Sequence, residues 1–578
     1  MNPMQADTVA DAFATAANRW PDRPFLCVLP ETARAYGISL DDAPSADRDK
    51  RSSPPASSSS KYPGGCRVVR HWFENHPATG AGPQPSRDAI ELTYAEAATR
   101  VRAIRESLQA AGAVRGMRLM LLLENRPDFF LYWLAANGLG LSVVPINPDL
   151  RAAELEHMAS LTRPALIIAI RSRHADLQAA IPGVPVHAPG EAIAQLTSGP
   201  VFDDIPGRTH ETAVLFTSGS TGRPKGCVLT NEYFLRAGQW YAQEGSLCAL
   251  SSDGERMLTP LPIFHMNAMA YSFMAMIAVG GCLIALDRFH PRSWWQSVAE
   301  SGATCLHYLG VMPSILMGLP DSPLDRSHSV RFGFGAGVDP KLHGPFEDRF
   351  GFPLIEAWAM TETGAGAVIA ASRTPRSVGQ SALGQPGPAM EMRIEGEDGN
   401  PAEQGELLVR AAGFDPHQGF FREYLHDPDA TAEAWQGGWF HTGDIVRRAP
   451  DGQIHFVDRK KNVIRRSGEN IAAVEVESIL ARHPAIASVG IAAVPDELRG
   501  DEVFALIVPR ADIAPEDLAA WALDRMAYYK IPGYIALTDA LPLTATNKLQ
   551  RAELKTRAAA LVGQPETHDL RHLKKRQA

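Results

Sequence analysis

Thr217-Ser-Gly-Ser-Thr-Gly-Arg-Pro-Lys-Gly226 is the stretch on which this chain turns: three glycines, four hydroxyls and a lysine follow directly on the apolar run Ala213–Phe216. Gly219 and Gly222 let successive backbone N–H groups turn toward an anion. The hydroxyls of Thr217, Ser218, Ser220 and Thr221 add donors, and Lys225 supplies a compact positive charge. This is the composition of a phosphate-gripping loop. No Gly-x-x-x-x-Gly-Lys-Ser/Thr string can be read in it, so a P-loop NTPase is excluded. A flexible Ser/Gly linker fits poorly with a strand in front and Pro224-Lys225 inside.

A chain of 578 residues is too long for one hydrophobic core, and at least two domains are expected. With 45% hydrophobic and 21% charged residues it reads as globular, and its formal charge of −9 argues against nonspecific nucleic-acid binding. Cys27, Cys66, Cys227, Cys248, Cys282 and Cys305 are scattered without metal-site spacing, as reduced thiols would be. Met1–Trp20 carries Asp7 and Asp11 and lacks the basic start and apolar core of a signal peptide, so a cytoplasmic location is expected. Ala268–Leu286 is uncharged and nearly long enough to span a bilayer. Gly280-Gly281 divides it into a Met-rich helical half and a short strand-like run, which predicts buried core and no stable membrane insertion.

Along the chain, Arg118–Glu124, Ser142–Ile146 and Ala165–Ile170 read as strands, with helices over Pro127–Leu139 and Ala152–Ser160 between them. Such alternation predicts parallel sheets covered on both faces in an α/β domain reaching to about Val457. After Asp458 a separate pattern begins, with strands over Ile486–Val494 and Val503–Val508 and a helix over Pro515–Tyr529. Roughly a hundred residues suffice for a small second domain. Between Pro30 and Arg87 lies Arg51-Ser-Ser-Pro-Pro-Ala-Ser-Ser-Ser-Ser-Lys61, too polar to bury much surface, and residues 30–87 are expected to form a flexible excursion, with Cys66–Phe73 able to dock.

Further motifs follow the loop in order: Leu261-Pro-Ile-Phe-His265, Gly335-Ala336-Gly337, Glu356-Ala-Trp-Ala-Met-Thr-Glu362, Gly438-Trp-Phe-His-Thr-Gly-Asp444, Val457-Asp-Arg-Lys-Lys461 and Leu541-Pro-Leu-Thr-Ala-Thr-Asn-Lys548. Together they make the chain, from about Thr8 to Lys555, resemble the AMP-forming adenylating enzymes, the acyl-CoA synthetases among them. The Thr-Ala-Thr-Asn-Lys form before Lys548 resembles that of crotonobetaine/carnitine-CoA ligases. The resemblance implies a large domain of two sheet subdomains plus a distorted β-barrel over 1–457, a hinge at 458–461 turning about Lys461, and a small mobile α+β lid over 462–578.

It also implies roles. The 217–226 loop, with Lys225, would grip the leaving phosphates of ATP, and Gly335, Ala336 and Gly337 would line the nucleotide site. Trp358 would stack on adenine, Thr361 would reach the α-phosphate, and Glu362 would hold Mg²⁺, a hard cation that suits one carboxylate plus phosphate oxygens. Asp444, assisted by Arg459, would accept from the ribose hydroxyls, since a carboxylate offers two acceptors and no competing donor. Lys548 would bridge carboxylate and α-phosphate during adenylation, with His265, Thr361 and Glu362 as the other catalytic residues, and Ser467-Gly468 would face the CoA side after the lid turns. Ala359 stands where the resembled enzymes commonly have glycine, and Asn547 likewise; asparagine tolerates the positive φ such a site demands.

The reaction so implied is ATP-dependent activation of a small carboxylic acid to an acyl-adenylate with loss of pyrophosphate, then transfer to CoA. An adenylating enzyme with another acceptor, a carrier protein or a luciferase-like oxidative step, is the alternative. His265 follows Phe264 where amino-acid-activating relatives carry an aspartate, so an α-amino acid substrate is disfavoured. Met266, Asn267, Tyr271, His307, Tyr308, Leu309 and Gly337 are expected around the acyl group, though such residues also fill cores by default.

Overall fold

Residues 2–37, 89–150, 152–196, 206–217, 224–396, 398–466, 469–496, 500–526, 528–543 and 549–574 are described by a computed structural model. The chain packs into two units, one of Met1–Glu391 with Arg410–Gly438, the other of Met392–Val409 with Trp439–Ala578. Residues 392–409 and 439–457 thus group with the C-terminal part of the chain. The reason is an antiparallel ladder in which Gln404–Ala411 pairs with Phe440–Arg448, and that strand with Ile454–Arg459.

In the first unit the strands are, in chain order, β1 (Pro24–Val28), β2 (Ile90–Thr93), β3 (Arg118–Leu122), β4 (Ser142–Pro145), β5 (Leu166–Ala169), β6 (Val186–His187), β7 (Glu211–Thr217), β8 (Lys225–Thr230), β9 (Arg256–Thr259), β10 (Cys282–Ala285), β11 (Cys305–Leu309), β12 (Phe332–Ala336) and β13 (Leu354–Trp358). β3 to β7 form a parallel sheet in the order β7-β4-β3-β5-β6, extended antiparallel by β8 and the short strand Glu423–Tyr424. The expected strands are therefore present and parallel, as continuous apolar runs buried on both faces should be. The partner of β7 was not legible: Lys225–Thr230 returns antiparallel, with Thr217 opposite Lys225, so the phosphate-loop sequence joins a hairpin.

The second sheet runs β13-β12-β11-β9-β10-β1, all parallel, with β2 antiparallel at its edge. The Met-rich segment of the rejected span becomes a π-helix, Asn267–Phe273, continuing as the α-helix Met274–Val279 before β10, and its residues from Ala268 to Ile277 are buried. No helix among the described residues is long and apolar enough to cross a membrane.

Three expectations need correction. Pro30–Tyr36 is a helix, begun by a proline in its first turn and ended by Gly37 at φ +61°, with Thr32 hydrogen-bonded to Asp287. The excursion thus does not start at residue 30; residues 38–88, including the low-complexity centre and Cys66–Phe73, lie outside the described residues. The helix begun at Pro127 ends at Asn137, two residues early, and every residue from Phe129 to Asn137 is buried. The helix begun at Pro515 ends at Leu523, six residues early.

The second unit carries Val463–Arg466, Glu469–Ala472, Ile486–Asp496, Gly500–Pro509, Tyr534–Leu537 and Thr567–Asp569 in one sheet. Buried Glu502 closes it on one side, pairing with Arg466 at 2.8 Å and with Lys574, whose ammonium burial pushes down to about 8.

Candidate active site

The exits of β9, β11, β12 and β13 lie side by side at the carboxyl edge of the second sheet, and His265, Gly337, Thr361 and Glu362 follow those of β9, β12 and β13. In open parallel sheets this is the edge at which ligands bind. After β12 the chain turns at Gly337, φ +80°, so closely against β11 that a Cβ on Gly310 would meet the Gly337 carbonyl oxygen at 1.6 Å. Glu356, in the middle of β13, fixes this turn: its carboxylate accepts the N–H of Gly337 at 2.9 Å, the N–H of Val338 at 3.0 Å and the hydroxyl of Tyr308 at 2.8 Å. Burial outweighs these bonds and raises its pKa. Ala336 and Gly337 are left exposed, and Gly335 is buried within β12.

Trp358 ends β13, buried and paired with Ile369 of the following antiparallel strand. Thr361 is half-buried, its carbonyl accepting the Tyr233 hydroxyl at 2.9 Å. Glu362 is held twice by one short segment: Phe421 donates its N–H to the Glu362 carbonyl at 2.8 Å, and Tyr424 donates its hydroxyl to the carboxylate Oε1 at 3.0 Å. Gly364 follows at φ +48°, where a Cβ would strike the Tyr233 ring at 2.3 Å. Lys225, at the start of β8, stands with its Nζ 5.0 Å from the centre of the Tyr424 ring and 3.5 Å from Asp427. Lys225, Tyr424 and Glu362 are thus one cluster, and the carboxylate adds to burial in raising the Cys227 thiol. The phenol of Tyr424 is raised likewise, by burial first and Glu362 next.

His265 sits exposed on the turn after β9, its ring 4.6 Å from that of Phe264. That turn is pinned by Asn125, fully saturated: Nδ2 donates to the carbonyls of Leu261 (3.1 Å) and Leu286 (2.8 Å), and Oδ1 accepts from the N–H of Ile263 (3.0 Å). Of the residues expected around the acyl group, Tyr271, His307 and Tyr308 are buried in hydrogen-bonded networks, Tyr271 reaching the Gly364 carbonyl at 3.0 Å.

In the second unit Asp444 and Arg459 face each other across neighbouring strands, with Nε 2.6 Å from Oδ1. Asp444 is buried and its own N–H donates to Thr442 Oγ1 at 3.0 Å. Lys461 lies in the short 3-10 turn Lys460–Asn462. Ser218, Gly219, Ser220, Thr221, Gly222, Ser467, Gly468 and Lys548 lie outside the described residues.

The sequence gives no role to Tyr424, Glu356, Asn125 or Tyr241, whose hydroxyl lies 3.0 Å from His307 Nε2. Asn125 lies at the strand end before Pro127, and Glu356 opens the motif that ends at Glu362.

The model of the AMP-binding enzyme family matches residues 69–424, and that of the AMP-binding enzyme C-terminal domain matches 475–548. The chain belongs to the AMP-binding enzyme family. Among relatives of this AMP-binding enzyme, the crotonobetaine/carnitine-CoA ligase of Citrobacter koseri is 30% identical over 80% of this chain and 93% of its own, and that of Salmonella arizonae 29% over the same shares. Its fold is shared with ATP-bound MatB from Rhodopseudomonas palustris (TM-score 0.71, 21% identity, 85% of this chain and 99% of that one). It is shared too with o-succinylbenzoate CoA synthetase from Bacillus subtilis in complex with an acyl-adenylate (TM-score 0.69, 24% identity, 84% and 97%).

Proposed function

We propose that this AMP-binding enzyme is an AMP-forming acyl-CoA ligase. A carboxylate oxygen of the acid attacks the α-phosphorus of ATP, the bond to the bridging oxygen breaks, and pyrophosphate leaves. The CoA sulfur, having lost its proton, then attacks the acyl carbon, and the C–O bond to AMP breaks. The observation that carries the reading is the Lys225–Tyr424–Glu362 cluster at the end of the phosphate-loop hairpin. It joins a cation for the departing phosphates to a hard oxygen donor, in a chain whose ligase relatives are matched over 93% of their length.

Both reactants of the first step are anions, so the site's work is neutralisation and alignment. Lys225, steadied by Asp427 and the Tyr424 ring, meets the leaving phosphates. Glu362, oriented by Tyr424, is the residue to hold Mg²⁺, which when bound supplies charge neutralisation on the phosphate oxygens. Thr361 reaches the α-phosphate from the same turn, and Trp358 offers adenine an aromatic face. Asp444 binds the ribose diol with Arg459 fixing its carboxylate, and Lys548 bridges the reacting anions. Ser467 and Gly468 face CoA after the lid turns about Lys461. Cytoplasmic work suits the cysteines, since Cys27, Cys227, Cys248, Cys282 and Cys305 are free and buried.

A panel of carboxylic acids assayed for ATP-, Mg²⁺- and CoA-dependent release of AMP tests this. AMP, pyrophosphate and acyl-CoA in equal amounts are expected. ADP as product would overturn adenylation, and AMP formed without thioester would overturn CoA as the acceptor.

A further inference from the structure

The order β10-β9-β11-β12-β13 contains a reversal. From β9 the chain passes to β10 on one side, whereas from β11 it passes to β12 and β13 on the other. A crevice opens outside the carboxyl ends of parallel strands at such a reversal, and it is where these sheets take their ligands. Here it lies between the exits of β9 and β11. One hydrogen-bonded line crosses it.

The line starts in the core. Tyr241, fully buried, lies with its hydroxyl 3.0 Å from His307 Nε2, and His307 Nδ1 is 2.7 Å from Asn267 Oδ1. Ser272 Oγ lies 2.9 Å from His307 Nδ1 and 3.4 Å from the Asn267 carbonyl oxygen. The Asn267 oxygen at 2.7 Å is the shortest contact of Nδ1, which assigns the imidazole proton to Nδ1 and leaves Nε2 to accept from Tyr241. Burial keeps the ring neutral, lowering its pKa to about 3. The Asn267 amide is therefore held with its oxygen inward and its NH₂ outward.

That NH₂ has no acceptor among the described residues, and Asn267 is half-buried. It opens a π-helical segment, a rare backbone form that recurs at functional sites. Four residues on, Tyr271 ties the same segment to the Gly364 carbonyl, two residues past Glu362. Trp240, half-buried, gives an aromatic wall beside this segment, its ring centre 5.6 Å from that of Tyr271 and 5.9 Å from that of Tyr241. An apolar wall with one oriented polar group is how small-molecule pockets fix both affinity and orientation.

We propose that Asn267 is a specificity-determining residue whose amide N–H donates to an oxygen of the acyl group, so that the enzyme selects carboxylic acids bearing a second acceptor, a carbonyl or carboxylate oxygen, over plain hydrocarbon acids. This rests on the adenylation reading above. His307 and Tyr241 are positioning residues for it. An acid without the acceptor leaves the desolvated N–H unpaired, the kind of loss by which polar sites reject analogues most strongly.

The test uses the whole enzyme and pairs of short acids that differ only by a keto or second carboxylate oxygen in place of a methylene, with kcat/KM read from pyrophosphate release. The oxygenated member of a pair is expected to be favoured by about ten- to a hundred-fold, the scale of one buried donor left unpaired. Asn267→Leu and Asn267→Ala should bring that ratio close to one while leaving the KM for ATP unchanged. An undiminished ratio in both variants, or equal use of both members of every pair by the wild type, would overturn the inference while leaving adenylation intact. AMP release with no acid at all in the panel would overturn the adenylation reading and this inference together.

Discussion

Tyr424 donates its hydroxyl to Glu362 Oε1 at 3.0 Å while turning the face of the same ring to Lys225 Nζ, so one side chain orients both the proposed metal-holding carboxylate and the proposed phosphate-binding cation. Tyr424→Phe keeps the ring and deletes the bond to Glu362. Adenylation, measured as acid-dependent pyrophosphate exchange, should fall by about tenfold, and the Mg²⁺ concentration for half-maximal rate should rise, because a hydrogen bond to a charged group is worth roughly 1.5–3 kcal/mol. Tyr424→Leu, which removes the ring as well, should also weaken pyrophosphate binding. Unchanged Mg²⁺ dependence in Tyr424→Phe would separate the tyrosine from the metal.

What the sequence shows and what it hides divide along physical lines. β3, β4 and β5 are legible because a strand buried on both faces is a continuous apolar run. Tyr424 is hidden because its partner Glu362 is 62 residues away and nothing local marks the pairing. Glu356 was visible only as part of a motif; that it fixes the Gly337 turn depends on the register of β12 against β13, which sets Gly335 opposite it. The helix after Leu29 was lost to the low-complexity stretch behind it, although Pro30 and Gly37 are a usual start and stop. His307 and Asn267 are both expected around the acyl group, but only the fold shows that they touch, 40 residues apart in the chain.

Asp444 is buried and paired with Arg459, and the worth of the pair should be read in nucleotide binding. Asp444→Asn keeps the volume and loses the charge and one acceptor. The KM for ATP should rise by roughly ten- to a hundred-fold, as when a charged hydrogen bond is lost. The discriminating measurement is the preference for ATP over 2′-deoxyATP, expected in the wild type and largely lost in Asp444→Asn. Equal preference in both proteins would place the ribose elsewhere.

His307 gives a stability prediction with a definite sign. Its folded pKa, lowered to about 3 by burial, lies below the ordinary value of 6.5, so between those values the unfolded chain binds a proton that the folded chain does not. The contribution is therefore fully present above pH 6.5 and is lost as the pH falls toward 3. His307→Gln cannot titrate, and its urea-unfolding free energy should fall less steeply from pH 7 to pH 4.5, by up to one proton's worth of slope. A slope as steep as that of the wild type would mean that His307 is protonated in the folded protein.

The two half-reactions can be separated through Lys548 and Lys461, the proposed lid lysine and the proposed pivot in the turn Lys460–Asn462. Lys548→Ala removes a charge used only while the carboxylate attacks ATP. It should slow acyl-adenylate formation by about 10²–10³-fold, the usual cost of a lost transition-state charge, and spare thioester formation from supplied acyl-adenylate. Lys461→Pro fixes φ where the lid would turn. It should leave pyrophosphate exchange near its normal rate, because the adenylating arrangement can still assemble, and should block transfer to CoA. Rapid-quench measurement of each half-reaction in each variant gives four rates. Equal damage to both steps in both proteins would refute an alternating lid, since neither lysine would then belong to one step alone.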